Sequence, residues 1–165
     1  MTTARMSTSR RSFRPGRRSL VALLVGAGVV LTPVSAMAST APAAAVAAQS
    51  PAAQIVVNTA MAQLGKPYVW AGSGPGSFDC SGLTQFAYKA VGVNLPRTTG
   101  AQANVGVAVS RANLQPGDLV FFYGGGHVGI YIGNNQVVHA PTSGDVVKVT
   151  NVDYMGAISA ARHLV

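Results

Sequence analysis

Halfway along this chain, the hydrophobic pattern changes from the spacing of a helix to that of a strand. Across residues 51–65 and 80–92, apolar side chains recur every three or four positions, as on one face of a helix. After Pro116-Gly117 the apolar residues come in short runs bounded by turn residues, as in strands. Short consecutive strands joined by tight turns pair with their neighbours. The order therefore predicts an α+β domain with amino-terminal helices packed on an antiparallel sheet.

Local residue patterns indicate where the predicted helices and strands begin and end. The first helix is predicted to begin at Ser50-Pro51, an N-cap followed by proline, and to reach Gly65. The cysteine-containing helix is predicted to end at Gly92, which favours a left-handed stop. A turn at 95–99 leads into a short helix toward Asn104. The predicted strands cover residues 118–122, 127–132, 136–140 and 146–150.

Residues 1–38 have the composition of a cleaved secretory leader. Six of the twelve Lys and Arg residues precede Leu20, an apolar run covers 20–31, and Ala36-Met37-Ala38 is a small-x-small cleavage site. About a dozen apolar residues fall short of the roughly twenty that span a membrane. Ser9-Arg10-Arg11-Ser12-Phe13 also resembles a twin-arginine signal, so the export route stays open. We expect a secreted protein, extracellular or associated with the cell wall, without stable membrane insertion after cleavage.

The rest of the chain divides into a linker and one domain. Residues 39–50 are almost entirely Ala, Pro, Ser, Thr and Gln, too polar and small to form a core. Residues 51–165 have the size of a single domain, expected to be a monomer. Beyond the leader, six scattered basic residues accompany four aspartates, without the basic stripe that nucleic-acid binding requires. Nucleic acid is therefore not expected as a partner.

Cys80 is the only cysteine in the chain and lies in Phe78-Asp79-Cys80-Ser81-Gly82. In a secreted protein a single cysteine cannot form an internal disulfide. Here it occupies the first turn of a predicted helix, where unpaired N–H groups and the helix dipole favour the thiolate, the reactive form. A small buried hydrophobe is the alternative for a lone cysteine. The surrounding residues favour a nucleophile.

Two histidines follow in the strand region. His127 begins an alternating run, and His139 lies on the next predicted strand. A three-residue loop at 133–135 would pair Ile132 with Gln136 and place both histidines on one face of the sheet. A two-residue loop would separate them unless a bulge intervened. Cysteine catalysis needs a base and a third polar group that orients it, so these two residues are candidates for both roles.

Other interpretations of these residues remain open. A zinc site formed by Cys80, His127 and His139 is conceivable, but no paired-ligand spacing is present. We therefore expect neither a metal nor another cofactor. His163 is interpreted as an exposed or edge-strand residue without a partner. Asp118 is expected to satisfy nearby backbone donors.

Several motifs together resemble the NlpC/p60 family over nearly the whole 51–165 domain. These segments are Gly65-Lys66-Pro67-Tyr68-Val69-Trp70-Ala71-Gly72, Phe78-Asp79-Cys80-Ser81-Gly82-Leu83, Leu95-Pro96-Arg97-Thr98, 114–122, His127-Val128-Gly129-Ile130-Tyr131 and His139-Ala140-Pro141. Members are papain-like cysteine peptidases that cleave peptidoglycan stem peptides, usually between D-γ-glutamyl and a diamino acid, commonly diaminopimelate. The resemblance implies that fold and that substrate for this chain.

The same resemblance implies individual roles. Cys80 would be the nucleophile, His127 the base and His139 the third polar residue. Tyr68 matches the family tyrosine that helps to hold the oxyanion. Asp79 and Ser81 match residues that flank the nucleophile and would meet the free amine of the stem peptide, although helix capping explains Asp79 equally well.

Two other functions are compatible with these motifs. A related thiol amidase would act on another peptidoglycan bond, and cleavage products would separate it from the endopeptidase. A non-catalytic wall-binding domain would retain the fold and would not depend on its thiol.

Overall fold

The computed structural model describes residues 49–165. The predicted leader and residues 39–48 of the predicted linker lie outside this range. Among the helices of residues 49–165, none is both long enough and apolar enough to cross a membrane.

Within residues 49–165, three α-helices precede the sheet, and each begins at a capping side chain. They are α1 (Pro51–Met61), α2 (Cys80–Lys89) and α3 (Thr99–Gln102). The side chains of Ser50, Asp79 and Thr98 each accept a hydrogen bond from a backbone N–H in the first turn, which satisfies a donor that the helix itself leaves free. The predicted helices are confirmed, although α1 and α2 end a few residues earlier than expected.

In the part of the chain that the structure describes, the sheet has six strands, all antiparallel. They are β1 (Val107–Ala108), β2 (Leu119–Phe122), β3 (His127–Gly133), β4 (Gln136–His139), β5 (Lys148–Asn151) and β6 (Ile158–His163). Their order across the sheet is β1-β6-β2-β3-β4-β5. The four predicted strands are confirmed with small shifts at their ends. Strands β1 and β6 were not predicted, because their pairing joins residues far apart in the chain.

Both faces of the sheet are covered. The helices pack on one face, where the buried residues include Val56, Leu83, Tyr88, Phe121, Val128 and Ile130. On the other face a smaller cluster contains Val120, Phe122, Val137, Val152 and Met155, the last two from a 3-10 helix at Val152–Met155. The predicted α+β architecture, with helices on an antiparallel sheet, is confirmed.

The turn between β3 and β4 differs from the prediction. Gly133, not Ile132, pairs with Gln136, so the loop has two residues, Asn134-Asn135. Both have positive φ values, 52° and 57°, as in the turns that suit tight hairpins. A register shift between Tyr131 and Gly133 then inserts one extra residue, which is a β-bulge.

Because of this bulge, the remainder of the hairpin keeps the expected register. The next pairs are Tyr131 with Val137 and Ile130 with Val138. The three-residue loop is therefore wrong, and the structure has the stated alternative, a two-residue loop accompanied by a bulge. The expectation that the two histidines meet on one face is confirmed by their direct contact.

His163 also differs from its interpretation as a residue without a partner. It ends β6, a strand that lies between β1 and β2, and its Nδ1 is 2.6 Å from Oδ1 of Asp118. Asp118 is buried, and its other oxygen accepts a hydrogen bond from the backbone N–H of Gln115. The expected local role of Asp118 is correct, and the contact with His163 adds a long-range one.

Candidate active site

Cys80 is the first residue of α2, and its position is determined by the helix cap. Oδ1 of Asp79 accepts a hydrogen bond from the backbone N–H of Gly82 at 2.7 Å. Leu83 and Ala87 are fully buried and hold the helix on the core. Cys80 itself is half-buried and free, with Sγ 3.5 Å from Oγ1 of Thr99. The helix dipole thus places its positive end at an accessible thiol.

The two histidines form a chain of hydrogen bonds across three strands. Nε2 of His127, on β3, is 2.8 Å from Nδ1 of His139, on β4. The rings meet edge to face, at 84° and with centroids 5.0 Å apart. Nε2 of His139 is in turn 2.9 Å from Oγ1 of Thr150 on β5. The orientation of His127 is therefore set by His139, and that of His139 by Thr150.

Gly129 leaves the space that this contact needs. A Cβ atom at this position would lie 3.3 Å from Cβ of His139 and 3.2 Å from the carbonyl oxygen of Val138. Both distances are tighter than ordinary van der Waals contact. A larger residue on this face of β3 would push His139 away from His127.

Burial keeps both histidines neutral near pH 7. It lowers the pKa of His127 to about 4. It also lowers the pKa of His139 to about 4, with a further contribution from the charges of His127 and Lys148. A neutral imidazole has one nitrogen free to accept a proton, which is the form that a general base requires.

We expect acidification to destabilise the protein because of these two residues. An unfolded histidine takes up its proton near its ordinary pKa of 6.5, whereas the folded pair does so only near 4. Between these values the unfolded state binds more protons, so the free energy of unfolding falls as pH decreases, by roughly 3 kcal/mol for each histidine over the full range. Urea unfolding between about pH 7 and about pH 4 measures this change.

The variant His139→Asn serves as the control for this prediction. It removes one of the two titrating groups, so its stability should depend less steeply on pH over the same interval. An equal dependence in both proteins would assign the effect to other groups.

Cys80 and His127 line the same cleft, which has a volume of about 360 Å³. Tyr68, Asp79 and Ser81 also line it, so the structure brings five of the six predicted site residues together around one space. His139 does not line this cleft, and its Nδ1 contacts Nε2 of His127. It faces a second cleft that His127 also lines.

Tyr68 reaches the cleft from the segment that precedes α2. This segment is held in place on both sides: the backbone N–H of Tyr68 donates to the carbonyl of Asp145 at 2.9 Å, and Tyr68 forms an isolated bridge with Phe78. Burial raises the pKa of the phenol, and electrostatic interactions with Cys80 and Asp79 add to this shift, while Arg97 opposes it. The hydroxyl therefore remains a donor at neutral pH.

Asp79 and Ser81 are both engaged by Arg97, a residue to which the sequence analysis gave no role of its own. Its Nη2 donates to Oδ2 of Asp79 at 2.5 Å, and its Nη1 donates to Oγ of Ser81 at 2.8 Å. The hydrogen bond with Asp79 raises the pKa of Arg97. The carboxylate thus caps the helix and pairs with a cation. Any contact with a substrate amine would compete with these bonds.

Arg97, Thr99 and Thr150 are the functional candidates that the sequence analysis missed. Arg97 lay in one of the motifs and Thr99 at the end of the predicted turn at 95–99, but their contact with the cleft depends on how α3 packs against α2. Thr150 lies in the predicted strand at 146–150, but its place beside His139 depends on a register that the sequence did not specify. The observed pairing of His139 with Lys148 places residue 150 diagonally across from His139 on the same face.

The placement of the possible ligands does not support a zinc site formed by Cys80, His127 and His139. Within residues 49–165, no group of three or more His, Cys, Asp or Glu side chains is placed to hold a metal ion. The facing nitrogens of His127 and His139 are hydrogen-bonded to each other instead.

The fold and the position of the thiol define the class of this protein. A cysteine at the start of a helix that packs on an antiparallel sheet, and that lines one cleft with a histidine of that sheet, is the papain-like arrangement. More specifically, the chain belongs to the NlpC/P60 family, whose sequence model matches residues 65–162.

Individual relatives agree with this assignment. A probable endopeptidase of Corynebacterium glutamicum is 48% identical over 104 residues, which cover 62% of this chain and 50% of that protein. An NlpC/P60 family protein from Bacillus cereus superposes with a TM-score of 0.65 at 40% identity, covering 69% of this chain and 40% of that one. The NlpC/p60 domain of the peptidoglycan hydrolase SagA gives a TM-score of 0.63 at 35% identity, covering 68% and 98%. The chain spans about half the length of its Corynebacterium relatives.

Proposed function

We propose that this protein is a secreted cysteine endopeptidase that hydrolyses peptidoglycan stem peptides. One observation carries the proposal: Cys80, at the amino terminus of α2, and His127, held by His139, line a single cleft. The names of its relatives support this activity, since one is called a probable endopeptidase and another a peptidoglycan hydrolase. The composition of residues 1–38 supports export to the cell wall.

The hydrogen bonds of the two histidines support Nδ1 of His127 as the proposed base. Nε2 of His127 faces His139, so Nδ1 is the nitrogen left for Cys80. For Nδ1 to accept a proton, Nε2 must carry the hydrogen and donate it to Nδ1 of His139. His139 then carries its own hydrogen on Nε2 and donates to Oγ1 of Thr150. His139 and Thr150 thus act as positioning residues that select the tautomer of His127.

The proposed reaction has two stages. Nδ1 of His127 takes the thiol proton, and the sulfur of Cys80 attacks the amide carbonyl carbon. As the tetrahedral intermediate collapses, the carbon–nitrogen bond breaks and His127 gives its proton to the leaving amine, which leaves a thioester on Cys80. His127 then takes a proton from water, and the hydroxide displaces the sulfur to form a carboxylic acid, which releases its own proton to solvent. The proton held by His127 returns to the sulfur of Cys80. No metal or cofactor takes part in these steps.

The negative oxygen of the intermediate needs hydrogen-bond donors. The Tyr68 hydroxyl, which burial keeps protonated, and the backbone N–H of Cys80 at the start of α2 are the two donors that we assign to it. Both belong to residues that line the cleft.

The bond that we propose joins D-γ-glutamate to the diamino acid that follows it, meso-diaminopimelate. This choice rests on family membership. The polar lining of the cleft, which includes Ser81, Arg97 and Thr99, is compatible with a substrate that carries free amine and carboxylate groups.

Mass spectrometry of peptidoglycan fragments tests this proposal. Purified protein should produce a new break after the D-glutamyl residue, and the matched variant Cys80→Ala should not. A Cys80-dependent break at another position would indicate a different amidase specificity. Identical fragments from both proteins would overturn the proposal and favour a wall-binding domain.

A further inference from the structure

A second cleft adjoins the first at His127. Its volume is also about 360 Å³, and it shares His127 and Pro141 with the first cleft but does not include Cys80. Its other lining residues are Tyr123, His139, Thr142, Lys148, Thr150 and Met155. The imidazole of His127 therefore stands between two spaces, only one of which contains the nucleophile.

This arrangement predicts which part of the proposed substrate occupies each cleft. The acyl group becomes bonded to Cys80, so it must occupy the first cleft. The leaving amine receives its proton from His127 and must lie beside that imidazole at the moment the bond breaks. The chain attached to this amine can then continue into the second cleft, which His127 lines. That cleft is the natural place for the diamino acid.

The second cleft has one full charge. Burial lowers the pKa of His127 and His139 to about 4, so both are neutral at pH 7. Among the residues of 49–165 that line this cleft, Lys148 is then the only charged one, and no acidic side chain is among them. Tyr123 and Met155 supply apolar surface beside it, which suits the methylene groups of a diamino acid.

The ion pair with Asp145 does not prevent Lys148 from binding another anion. Its Nζ is 2.5 Å from Oδ2 of Asp145, but 45% of the Lys148 side chain and 31% of the Asp145 side chain are exposed. Exposed ion pairs of this kind contribute little stability. Asp145 has a second bond, from the backbone N–H of Val146, and an ammonium group has three donors. Lys148 can thus accept an additional anionic partner at small cost.

We infer that Lys148 binds a carboxylate of the leaving segment of the substrate, and that the cleft around it selects a leaving segment bearing such a group. The inference rests on the proposed function and identifies a specificity-determining residue for it. Two carboxylates of a stem peptide satisfy the same chemistry: the side-chain carboxylate of diaminopimelate, which lysine lacks, and the carboxylate that ends the peptide.

The test compares the rates of cleavage of synthetic tetrapeptides, L-Ala-γ-D-Glu-X-D-Ala. In one, X is meso-diaminopimelate; in two others, either its side-chain carboxylate or the terminal carboxylate is amidated. The wild-type protein should prefer the free acid over one amide by about tenfold or more in kcat/KM. In Lys148→Met this ratio should fall to about one, and Lys148→Arg should retain it.

Two further variants complete the design. Lys89→Met removes an exposed lysine on α2 that does not line this cleft, and it should leave the ratio unchanged. Asp145→Asn releases Lys148 from its ion pair and should increase the ratio. Because the charge of Lys148 also affects His139, its loss can change the rate for all substrates, and the ratio is the informative quantity.

The amide that removes the preference identifies which carboxylate Lys148 binds. Equal ratios in the wild type and Lys148→Met would overturn the inference, as would equal rates for all three peptides in the wild type. Failure of the proposed function looks different: the wild type would then cleave none of the peptides, or would do so no faster than Cys80→Ala.

Discussion

We expect Cys80→Ala, His127→Ala and the double variant to lose activity by nearly the same factor, about a thousandfold or more in kcat. The thiol and the imidazole act on one proton, so neither accelerates the reaction without the other. Once either side chain has been removed, removal of the second should lower kcat little further. The measurement is kcat on a synthetic stem peptide for all four proteins.

The outcome that would contradict this mechanism is additivity. If the double variant lost the product of the two single factors, Cys80 and His127 would contribute independently. Urea unfolding of each variant provides the control, because a truncated buried histidine leaves a cavity that destabilises the fold. His139→Ala should lose less activity than His127→Ala, since His139 contacts only the base and not the cleft that holds Cys80.

Gly82→Ala should destabilise the protein by about 3 kcal/mol or more. A Cβ atom on Gly82 would lie 2.0 Å from the carbonyl oxygen of Gly72 and 2.9 Å from Oδ1 of Asp79. The Gly72 oxygen cannot yield easily, because it accepts a hydrogen bond from the backbone N–H of Asp79 at 2.8 Å. The added methyl group must therefore displace either the start of α2 or the segment that carries Tyr68. Urea unfolding measures the loss.

Gly100→Ala is the matched control for this substitution. Gly100 lies in α3 and a Cβ there would have no neighbour within 4 Å, so alanine should be neutral or slightly stabilising through its higher helix propensity. Similar stabilities for Gly82→Ala and the wild type would mean that the close approach to Gly72 relaxes at little cost. In that event the position of Tyr68 would not depend on Gly82.

The helices were predictable because their signals are local. Ser50 and Asp79 each bond to an N–H three residues later, so the few residues around each cap contain the information needed to start the helix. The apolar spacing of α2 likewise identified the face that packs on the core. These local signals are enough to place Cys80 at a helix start and to predict a reactive thiol there.

The sheet was predictable only in part. Alternation in β3 and the short run in β2 identified strands, but β1 has two residues and β6 pairs with residues about forty positions away. Nothing in the sequence near Ile158–His163 specifies that partner. The hydrogen bond between His163 and Asp118 was missed for the same reason.

The sequence by itself determined where the helices begin, which residues carry the reactive groups and the family to which their motifs belong. Only the tertiary structure decided how these groups meet. The bulge before Gly133 restores the register that joins His127 to His139, and folding brings Arg97 to Asp79 and Thr150 to His139. Caps and periodicity depend on hydrogen bonds and side chains a few residues apart. The site depends on contacts between distant segments, whose relative positions are determined by packing of the whole core.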